Sequence, residues 1–348
     1  MTPTPAESAP PANVDELEDI LSTPTPGVVD TLGRLEGDLL ILGVAGKMGP
    51  TLARMAHRAS SLAGISRRVL GVSRFSDAAQ ESALQRHGIE TLRCNLLDED
   101  AVAALPETPN IVFMAGRKFG STGDEAATWA SNCHLPAIVS RRFHRSRIVA
   151  FSTGNVYGLS PVAEGGAQET TAPRPVGEYA MSCLGRERLF EYFSRERSIP
   201  MAILRLNYAC ELRYGLLVDL AQRVLSGQPV DLAMGHFNTI WQADANAIAL
   251  RAFDHVSTPP FVVNLTGPEI LGVRQTCEQL SRAGARSVTF TGVESATALI
   301  SNAQLAERLF GPPGFPPDRI MRWIVAWLQR GGPTLNKPTH FESREGIF

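Results

Sequence analysis

The sequence predicts an α/β fold, a doubly wound parallel sheet of the Rossmann type followed by a smaller mixed C-terminal lobe. Two observations lead to this prediction. From residue 38 onward, apolar strand segments alternate with helical segments across short connections, as in β-α units with right-handed crossovers. The first strand segment, residues 39–44, is continuously apolar, which is typical of a strand buried on both faces of a parallel sheet.

The alternation fixes the expected order of elements. Strands are predicted at 39–44, 68–74, 90–94, 110–115, 147–153 and 201–206, and helices at 48–63, 78–87, 98–104, 122–140 and 178–197. Further on, helices at 215–226 and 243–253, strands near 238–242 and at 261–267, and one strand at 287–292 among helices over 273–331 are expected. Connections this short place consecutive strands in one sheet.

Composition excludes several classes of protein. The 348 residues are 44% hydrophobic and 20% charged with a formal net charge of −2, so no global field attracts nucleic acid or an anionic membrane. Five cysteines without a C-x-x-C pair indicate neither a metal site nor a disulfide framework. Together with the absence of a signal-peptide pattern at residues 1–30, they favour free thiols in a reducing cytoplasm. The 33 basic residues include three lysines, Lys47, Lys118 and Lys337.

A glycine-rich segment follows the first strand and opens a helix. Gly43, Gly46 and Gly49 have the spacing that permits a tight turn, a close approach of pyrophosphate and close helix–strand packing. The helix N-terminus offers N–H groups to the phosphates. Lys47 and Met48 complete the loop, and Met48 stands where an NTPase P-loop needs Ser or Thr. The segment therefore predicts a binding site for a nicotinamide dinucleotide.

The end of the second strand bears on the choice of dinucleotide. Sites specific for NAD usually have an acidic residue here, which accepts hydrogen bonds from the ribose hydroxyls. This sequence has Ser73 and Arg74 instead. A guanidinium grips phosphate with paired hydrogen bonds, and Lys47 adds a second cation. We therefore expect NADP, with NAD as the alternative.

These features divide the chain into three parts. Residues 1–36 form an N-terminal arm, disordered over the Pro- and Ala-rich residues 1–12 and then two short helices that pack on a neighbour or partner subunit. Residues 37–210 form the dinucleotide-binding domain, to which 240–266 return. Residues 211–239 and 267–348 form a substrate-binding lobe that ends in an extended strap.

Several ordered motifs resemble the extended short-chain dehydrogenase/reductase superfamily, its NAD-dependent epimerase/dehydratase branch. They are the glycine loop, Asn95-Leu-Leu-Asp98, Met114-Ala115-Gly116, the segment 152–158 ending in Val-Tyr-Gly, Tyr179-x-x-x-Cys183, Arg205-Leu-Asn207-Tyr208 and Trp241-Gln-Ala-Asp244. The resemblance covers about residues 38–265. It implies cofactor contacts from Asn95, Leu96, Met114, Ala115, Gly116 and Asn132, and a homodimer.

The same resemblance implies catalytic roles. Tyr179 would be the acid/base and Thr153 the hydroxyl that orients the same oxygen. Cys183 stands where the family has a lysine that lowers the pKa of the tyrosine, and a thiol cannot supply that positive charge. Either Arg117 or Lys118 fills the gap, or Tyr179 acts only as a neutral acid, or catalysis is lost. Cys183 as a nucleophile is a fourth, weaker alternative because no histidine adjoins it.

Polar and aromatic residues near the predicted carboxyl edge of the sheet are candidates for the substrate site. They are Arg117, Lys118, Asn155, Asn207, Glu211, Arg213, Tyr214, His236, Asn238 and Trp241. Arg213 and Tyr214 together would suit a carboxylate- or phosphate-bearing, sugar-like molecule.

The function predicted is therefore an NAD(P)-dependent oxidoreductase or epimerase/dehydratase that acts on a small sugar-derived, polyol or keto substrate. The alternative is a catalytically impaired dinucleotide-binding protein with a regulatory or structural role. A third hypothesis, an RNA-binding or scaffold role, is disfavoured by the charge balance.

Overall fold

A seven-stranded sheet, parallel at every pairing, forms the centre of the computed structural model, which describes residues 9–118 and 120–346. The described strands are β1 (Leu39–Leu42), β2 (Val69–Ser73), β3 (Glu90–Arg93), β4 (Asn110–Phe113), β5 (Arg147–Thr153), β6 (Ser160–Pro161), β7 (Met201–Leu206), β8 (Ala209–Cys210), β9 (Val230–Asp231), β10 (His236–Phe237), β11 (Ile240–Trp241), β12 (Phe261–Leu265), β13 (Leu271–Gly272), β14 (Phe290–Thr291) and β15 (Thr297–Ala298). The order across the central sheet is β12-β7-β5-β4-β1-β2-β3. This confirms the predicted doubly wound sheet, including the strand predicted at 261–267.

Helices cover both faces of this sheet. They are α1 (Val14–Leu21), α2 (Pro26–Arg34), α3 (Gly49–Leu62), α4 (Ala78–Arg86), α5 (Glu99–Ala103), α6 (Glu125–Trp129), α7 (Leu135–Arg142), α8 (Gly177–Arg197), α9 (Leu216–Leu225), α10 (Gln242–Arg251), α11 (Val273–Gly284), α12 (Gln304–Phe310) and α13 (Pro317–Gln329), with a π-helical turn at Ala130–His134 and 3₁₀ turns at Gly154–Tyr157, Val162–Glu164 and Ala252–His255. Among the described residues, no helix is both long and apolar enough to cross a membrane.

Alternate residues of each central strand enter two separate cores. Leu39 and Ile41 of β1 pack in the core under α2, α3 and α10, whereas Leu40 and Leu42 face the core under α7 and α8. Because side chains alternate across a strand and both faces are covered, every position of β1 must be apolar. This is the physical reason for the continuous apolar run in the sequence.

The helix predicted over 122–140 is interrupted. A π-helical turn separates α6 from α7, and Pro136 lies in the first turn of α7. Proline has no N–H, so the carbonyl of Asn132, four residues earlier, receives no helical hydrogen bond. That carbonyl instead accepts from the guanidinium of Arg186 on α8, which ties the turn to the neighbouring helix.

The N-terminal arm consists of the two predicted short helices, α1 and α2, and packs on α3 and α10 of the same chain. Leu17, Leu21 and Leu32 are fully buried there. Polar contacts reinforce the packing: Arg54 of α3 pairs with Asp19 at 2.7 Å. The predicted disorder of residues 1–12 falls mainly on residues 1–8, which lie outside the described residues.

In the C-terminal part, the helices α9, α11 and α13 pack on one another and on small two-stranded sheets. The strands predicted near 238–242 and at 287–292 are reduced to the two-residue strands β11 and β14. Residues 331–346 form an extended segment, called the strap below. The strap is pinned by Asp219, which accepts from both the backbone N–H (2.7 Å) and the hydroxyl (2.6 Å) of Thr339.

Candidate active site

A cavity of about 270 Å³ lies at the carboxyl edge of the sheet, where the strand order reverses between β1 and β4. Open α/β sheets bind ligands at such a switch point. The walls come from the glycine loop, the loops after β4, β5 and β7, helix α8, and the strap. The lining residues are Gly43, Gly46, Lys47, Met48, Gly49, Met114, Gly116, Arg117, Lys118, Phe151, Ser152, Thr153, Asn155, Tyr179, Arg186, Leu206, Asn207, Tyr208, Ala209, Tyr214, Gln242 and Thr339.

The glycine loop has the shape that a pyrophosphate requires. Gly43 has a φ of +89°, and a Cβ there would lie 2.7 Å from the backbone nitrogen of Ala115. A Cβ at Gly49 would collide with the carbonyl oxygen of Val44. Helix α3 begins at Gly49 without a side-chain cap, so its first N–H groups face the cavity edge as an anion site. The loop therefore fits the phosphates of a dinucleotide.

Tyr179, Thr153 and Cys183 are brought together as the resemblance implied. Tyr179, near the start of α8, is hydrogen-bonded to the side chains of Thr153, at the end of β5, and Cys183, one turn further along α8. Tyr179 and Thr153 line the cavity, whereas Cys183 is fully buried behind them. The two elements meet because α8 packs directly on β5.

The protonation of this group follows from its surroundings. Burial raises the pKa of Tyr179 far above its ordinary value of about 10, and Cys183 raises it further. The charge of Arg186 and the hydrogen bond from Thr153 act in the opposite direction. Burial also raises the pKa of the Cys183 thiol. At neutral pH both groups are therefore protonated, and Tyr179 is poised as a proton donor.

Arg186 supplies a cation that the sequence analysis missed. Its guanidinium is buried and donates to the side-chain oxygen of Asn132 (2.7 Å), the carbonyl of Asn132 (3.4 Å) and the carbonyl of Phe151 (2.8 Å). All three acceptors are neutral, so these bonds hold the guanidinium in place without cancelling its charge. That charge lowers the pKa of both Tyr179 and Cys183. In the sequence, Arg186 looks like one of many arginines on a polar helix.

Two of the predicted lysines also reach the cavity. The Lys118 ammonium lies 5.7 Å from the ring centroid of Tyr179 and donates to the carbonyl of Thr339 on the strap at 3.5 Å. The Lys47 ammonium lies 3.5 Å from the ring centroid of Tyr214. Arg117, the other cation proposed from sequence, pairs with Asp124 at 2.7 Å. The cavity wall is therefore rich in positive charge.

The helix that carries Tyr179 is anchored by a buried ion pair. Glu187 of α8 accepts from Arg205 of β7 at 2.7 Å and from the Ser152 hydroxyl of β5 at 2.5 Å. All three side chains are buried. Arg205 also donates to the Tyr157 hydroxyl at 2.7 Å. These bonds fix α8 against the two strands whose ends form the cavity.

Several of the predicted residues do not line the cavity, and four of them have other partners. Asn132 is fully buried, and its amide binds Arg117, Ser182 and Arg186 rather than facing the cofactor site. Arg213 pairs with Glu18 (2.6 Å) and Glu211 (3.0 Å). Trp241 is fully buried and stacks on Phe315 with centroids 5.1 Å apart. His236 pairs with Gly272 in a two-stranded sheet.

The remaining predictions fall into three groups. Asn155, Asn207 and Tyr214 line the cavity, and Asn207 is held there by Asn238 at 2.9 Å. Glu211 and Asn238 are buried outside the lining. Ser73, Arg74, Asn95, Leu96 and Ala115 lie at or just after the carboxyl ends of β2, β3 and β4, outside the lining, and Arg74 is exposed. Their contact with a cofactor stays a prediction.

Besides Arg186, sequence reasoning missed lining residues that follow a predicted one directly. Gln242 lines the cavity although Trp241 does not, and its amide donates to Thr51 of α3 at 3.0 Å. Tyr208 similarly follows Asn207. The motifs located these segments correctly, but which of two neighbouring side chains points inward depends on packing. Thr339 comes from the strap, for which no motif exists.

Comparison with known families agrees with this fold and cavity. The family model described as "NAD dependent epimerase/dehydratase family" matches residues 39–230, more than half of the chain. The chain therefore belongs to the NAD-dependent epimerase/dehydratase family. This membership supports a nicotinamide dinucleotide as cofactor. A search of curated proteins found no significant match.

Solved structures of similar fold include sugar-nucleotide enzymes. A mutant UDP-glucuronic acid 4-epimerase from Bacillus cereus, in complex with UDP-4-deoxy-4-fluoro-glucuronic acid and NAD, has a TM-score of 0.71 at 17% identity and covers 84% of this chain and 99% of its own. UDP-glucose 4-epimerase from Thermotoga maritima, with UDP-glucose, has a TM-score of 0.69 at 17% identity and covers 84% of this chain and 99% of its own. The dTDP-glucose 4,6-dehydratase from Bacillus anthracis, with NAD, has a TM-score of 0.70 at 13% identity and covers 85% of this chain and 97% of its own. At these identities the likeness is one of fold.

Proposed function

We propose that the protein is an NAD(P)-dependent oxidoreductase or epimerase/dehydratase that acts on a small sugar-derived, polyol or keto substrate, with Tyr179 as acid/base. The observation that carries the proposal is the hydrogen-bonded pair of Tyr179 and Thr153, which lines the same cavity as the glycine loop. A bound dinucleotide supplies hydride transfer. The chain must then supply a proton donor beside it, and this pair is placed to do so.

Reduction of a carbonyl is the direction that the site favours. Tyr179 is protonated at neutral pH, so its O–H bond can break and give the proton to the carbonyl oxygen as hydride reaches the carbon. Thr153 orients the same oxygen, and the nearby charges of Arg186 and Lys118 stabilise the phenolate left behind. Oxidation of an alcohol would need Tyr179 to be deprotonated before the reaction, and this would require a higher pH.

The test is a calorimetric titration with NADP and with NAD, followed by assays of cofactor oxidation with small keto sugars and keto acids. Saturable binding and turnover would support the proposal. If neither dinucleotide binds below about millimolar, the typical upper limit for substrate-like affinities, the proposal is wrong. Binding without turnover by any substrate would favour the second candidate, a catalytically impaired dinucleotide-binding protein, for which the thiol at Cys183 is the supporting observation.

We further propose that NADP is preferred. Ser73 ends β2 and Arg74 follows it, while the next acidic residue, Asp77, caps α4 by accepting from the backbone N–H of Ala79 at 2.9 Å. Replacing Arg74 with alanine should weaken NADP binding about 10- to 100-fold, the worth of a charge-assisted phosphate contact, and leave NAD binding within about 2-fold. Calorimetry with both dinucleotides measures this. Arg86→Ala, which removes another exposed cation of the same region, is the control. Equal losses for NADP and NAD would contradict the preference.

Arg186 is proposed to replace the positive charge that a lysine at position 183 would supply. Arg186→Met should move the alkaline rise of the oxidation rate upward by about one pH unit or more, because removal of a nearby cation raises the pKa of Tyr179. Arg186→Lys keeps the charge and should restore most of the profile. If Arg186→Met lowers the rate without shifting the pH profile, Arg186 has only a structural role.

The domain layout is likewise a proposal: residues 37–210 with 240–266 bind the cofactor, while 211–239 and 267–348 are assigned to the substrate-binding lobe and C-terminal strap. The lining supports this layout because Gln242 comes from the returning segment, whereas Tyr214 and Thr339 come from the lobe and the strap.

A further inference from the structure

The charge on the cavity wall is one-sided. Among the described residues that line it, Lys47, Arg117, Lys118 and Arg186 are cations, and there is no carboxylate. Arg117 is paired with Asp124 and Arg186 is held by neutral acceptors behind Tyr179. The other two cations of the lining are Lys47 and Lys118.

The three lysines of the chain lie on segments that meet at this cavity. They are found among 33 basic residues, in the glycine loop, the loop after β4 and the strap. Two of them, Lys47 and Lys118, line the cavity, and the third, Lys337, lies two residues before the lining residue Thr339 of the strap. The charge of the exposed Lys337 acts on Lys47 together with that of Lys118.

These cations extend beyond what a cofactor pyrophosphate needs. The pyrophosphate is accommodated by the glycine loop and the N-terminus of α3. Lys118 instead lies beside Tyr179, at the reacting end, and touches the strap through Thr339. Asp219 is the carboxylate of this region, and its hydrogen bonds from Thr339 direct it toward the strap.

We propose that Lys47, Lys118 and Lys337 form a site for an anionic group of the substrate, a phosphate or a carboxylate carried by the molecule whose carbonyl faces Tyr179. The inference rests on the proposed function and narrows its substrate class to small acidic or phosphorylated keto and hydroxy compounds. It also changes two contacts expected from the sequence. Lys47, expected to bind a phosphate of NADP, is assigned to the substrate, and the anion contact expected for Arg213 passes to the lysines, since Arg213 is neutralised by Glu18 and Glu211. Tyr214, next to Arg213, remains part of the site through Lys47.

Anion binding at this site should depend on pH. Burial lowers the pKa of Lys47 to about 7, helped by Lys118 and Lys337 and opposed by Asp219. Burial lowers the pKa of Lys118 to about 8, opposed by Cys183 and Asp219. A lysine binds anions in its protonated form, so the affinity should be highest near pH 6 and fall as the pH rises through 7 and 8.

The experiment is a calorimetric titration of the whole protein with sulfate, whose charge is constant over this range, and with acetate, at constant ionic strength set with chloride. Each titration is made with NADP saturating and again without it. We expect saturable sulfate binding with NADP present, weakened about 10-fold or more by Lys118→Met, about 3-fold by the exposed Lys337→Met, and about 10-fold between pH 6 and pH 9. Arg188→Met, an exposed cation on the outer side of α8, should bind sulfate as the wild type does.

The outcomes separate the alternatives. Tighter binding of sulfate than acetate identifies a phosphate, and the reverse identifies a carboxylate. If sulfate competes with NADP, the lysines serve the phosphates of the cofactor and the inference is overturned. It is also overturned if neither anion binds or if both lysine variants bind as the wild type does. If NADP does not bind, the proposed function is contradicted but the lysine site is not, because the titrations without NADP still test that site.

Discussion

Replacing Tyr179 with phenylalanine should lower kcat for carbonyl reduction by about 10²- to 10⁴-fold, the usual contribution of a positioned general acid. The change removes the hydroxyl and leaves the ring, which is next to Lys118, in place. Dinucleotide affinity should remain within about 2-fold, because the glycine loop is untouched. Steady-state kinetics and calorimetry on the same preparation measure the two effects separately.

The same helix offers a control for this variant. Tyr192 lies thirteen residues further along α8, is 57% exposed and is far from the cavity lining. Tyr192→Phe should therefore behave as the wild type in both measurements. A wild-type kcat in the Tyr179 variant would show that this tyrosine does not take part in the reaction. Loss of dinucleotide binding would instead show that the substitution disturbs the fold of the site.

Replacing Glu187 with glutamine should destabilise the protein by about 3–5 kcal/mol, the range for a buried charge that loses its partner. Glutamine has nearly the same shape, so the loss is one of charge: the guanidinium of Arg205, 5% exposed, would lack a carboxylate. Urea unfolding followed by circular dichroism measures the change. Because α8 is held to β5 and β7 by this pair, the position of Tyr179 should also become less well defined and kcat should fall.

A matched variant on the same helix isolates the effect of burial. Glu191 pairs with Arg188 and Arg195 at the surface, and Glu191→Gln should cost about 0.5 kcal/mol or less. The double variant Glu187→Gln with Arg205→Met removes both charges and should recover part of the lost stability. Equal costs for Glu187→Gln and Glu191→Gln would contradict the importance assigned to the buried pair.

The sequence was most informative where one physical requirement acted on consecutive residues. The apolar run at 39–42 must be apolar because both faces of β1 are covered, and the glycine spacing must be kept because a Cβ at Gly43 or Gly49 would meet backbone. Such requirements leave a local pattern. The central sheet and the glycine loop followed from them, whereas the meeting of Tyr179 with Thr153 was implied by the family resemblance.

The sequence was least informative where the direction of a side chain is set by distant packing. Trp241 turns into the core against Phe315, more than seventy positions away in the chain, and Arg213 turns toward Glu18 of the arm. Nothing near either residue in the sequence indicates these partners. The same holds for Arg186, whose acceptors are Phe151 of β5 and Asn132, a residue whose carbonyl is left without an i+4 donor by Pro136.

The strap has a consequence for the order in which the molecule is assembled. Every side chain proposed for proton transfer lies within the family-matched segment 39–230, yet Thr339, which completes the lining of the cavity, lies more than a hundred positions later. During synthesis the cofactor-binding domain can therefore fold well before the substrate end of its cavity has a wall. We therefore expect a chain that lacks the strap to keep the glycine loop and the pair of Tyr179 and Thr153, but to leave their cavity without the wall that Thr339 provides.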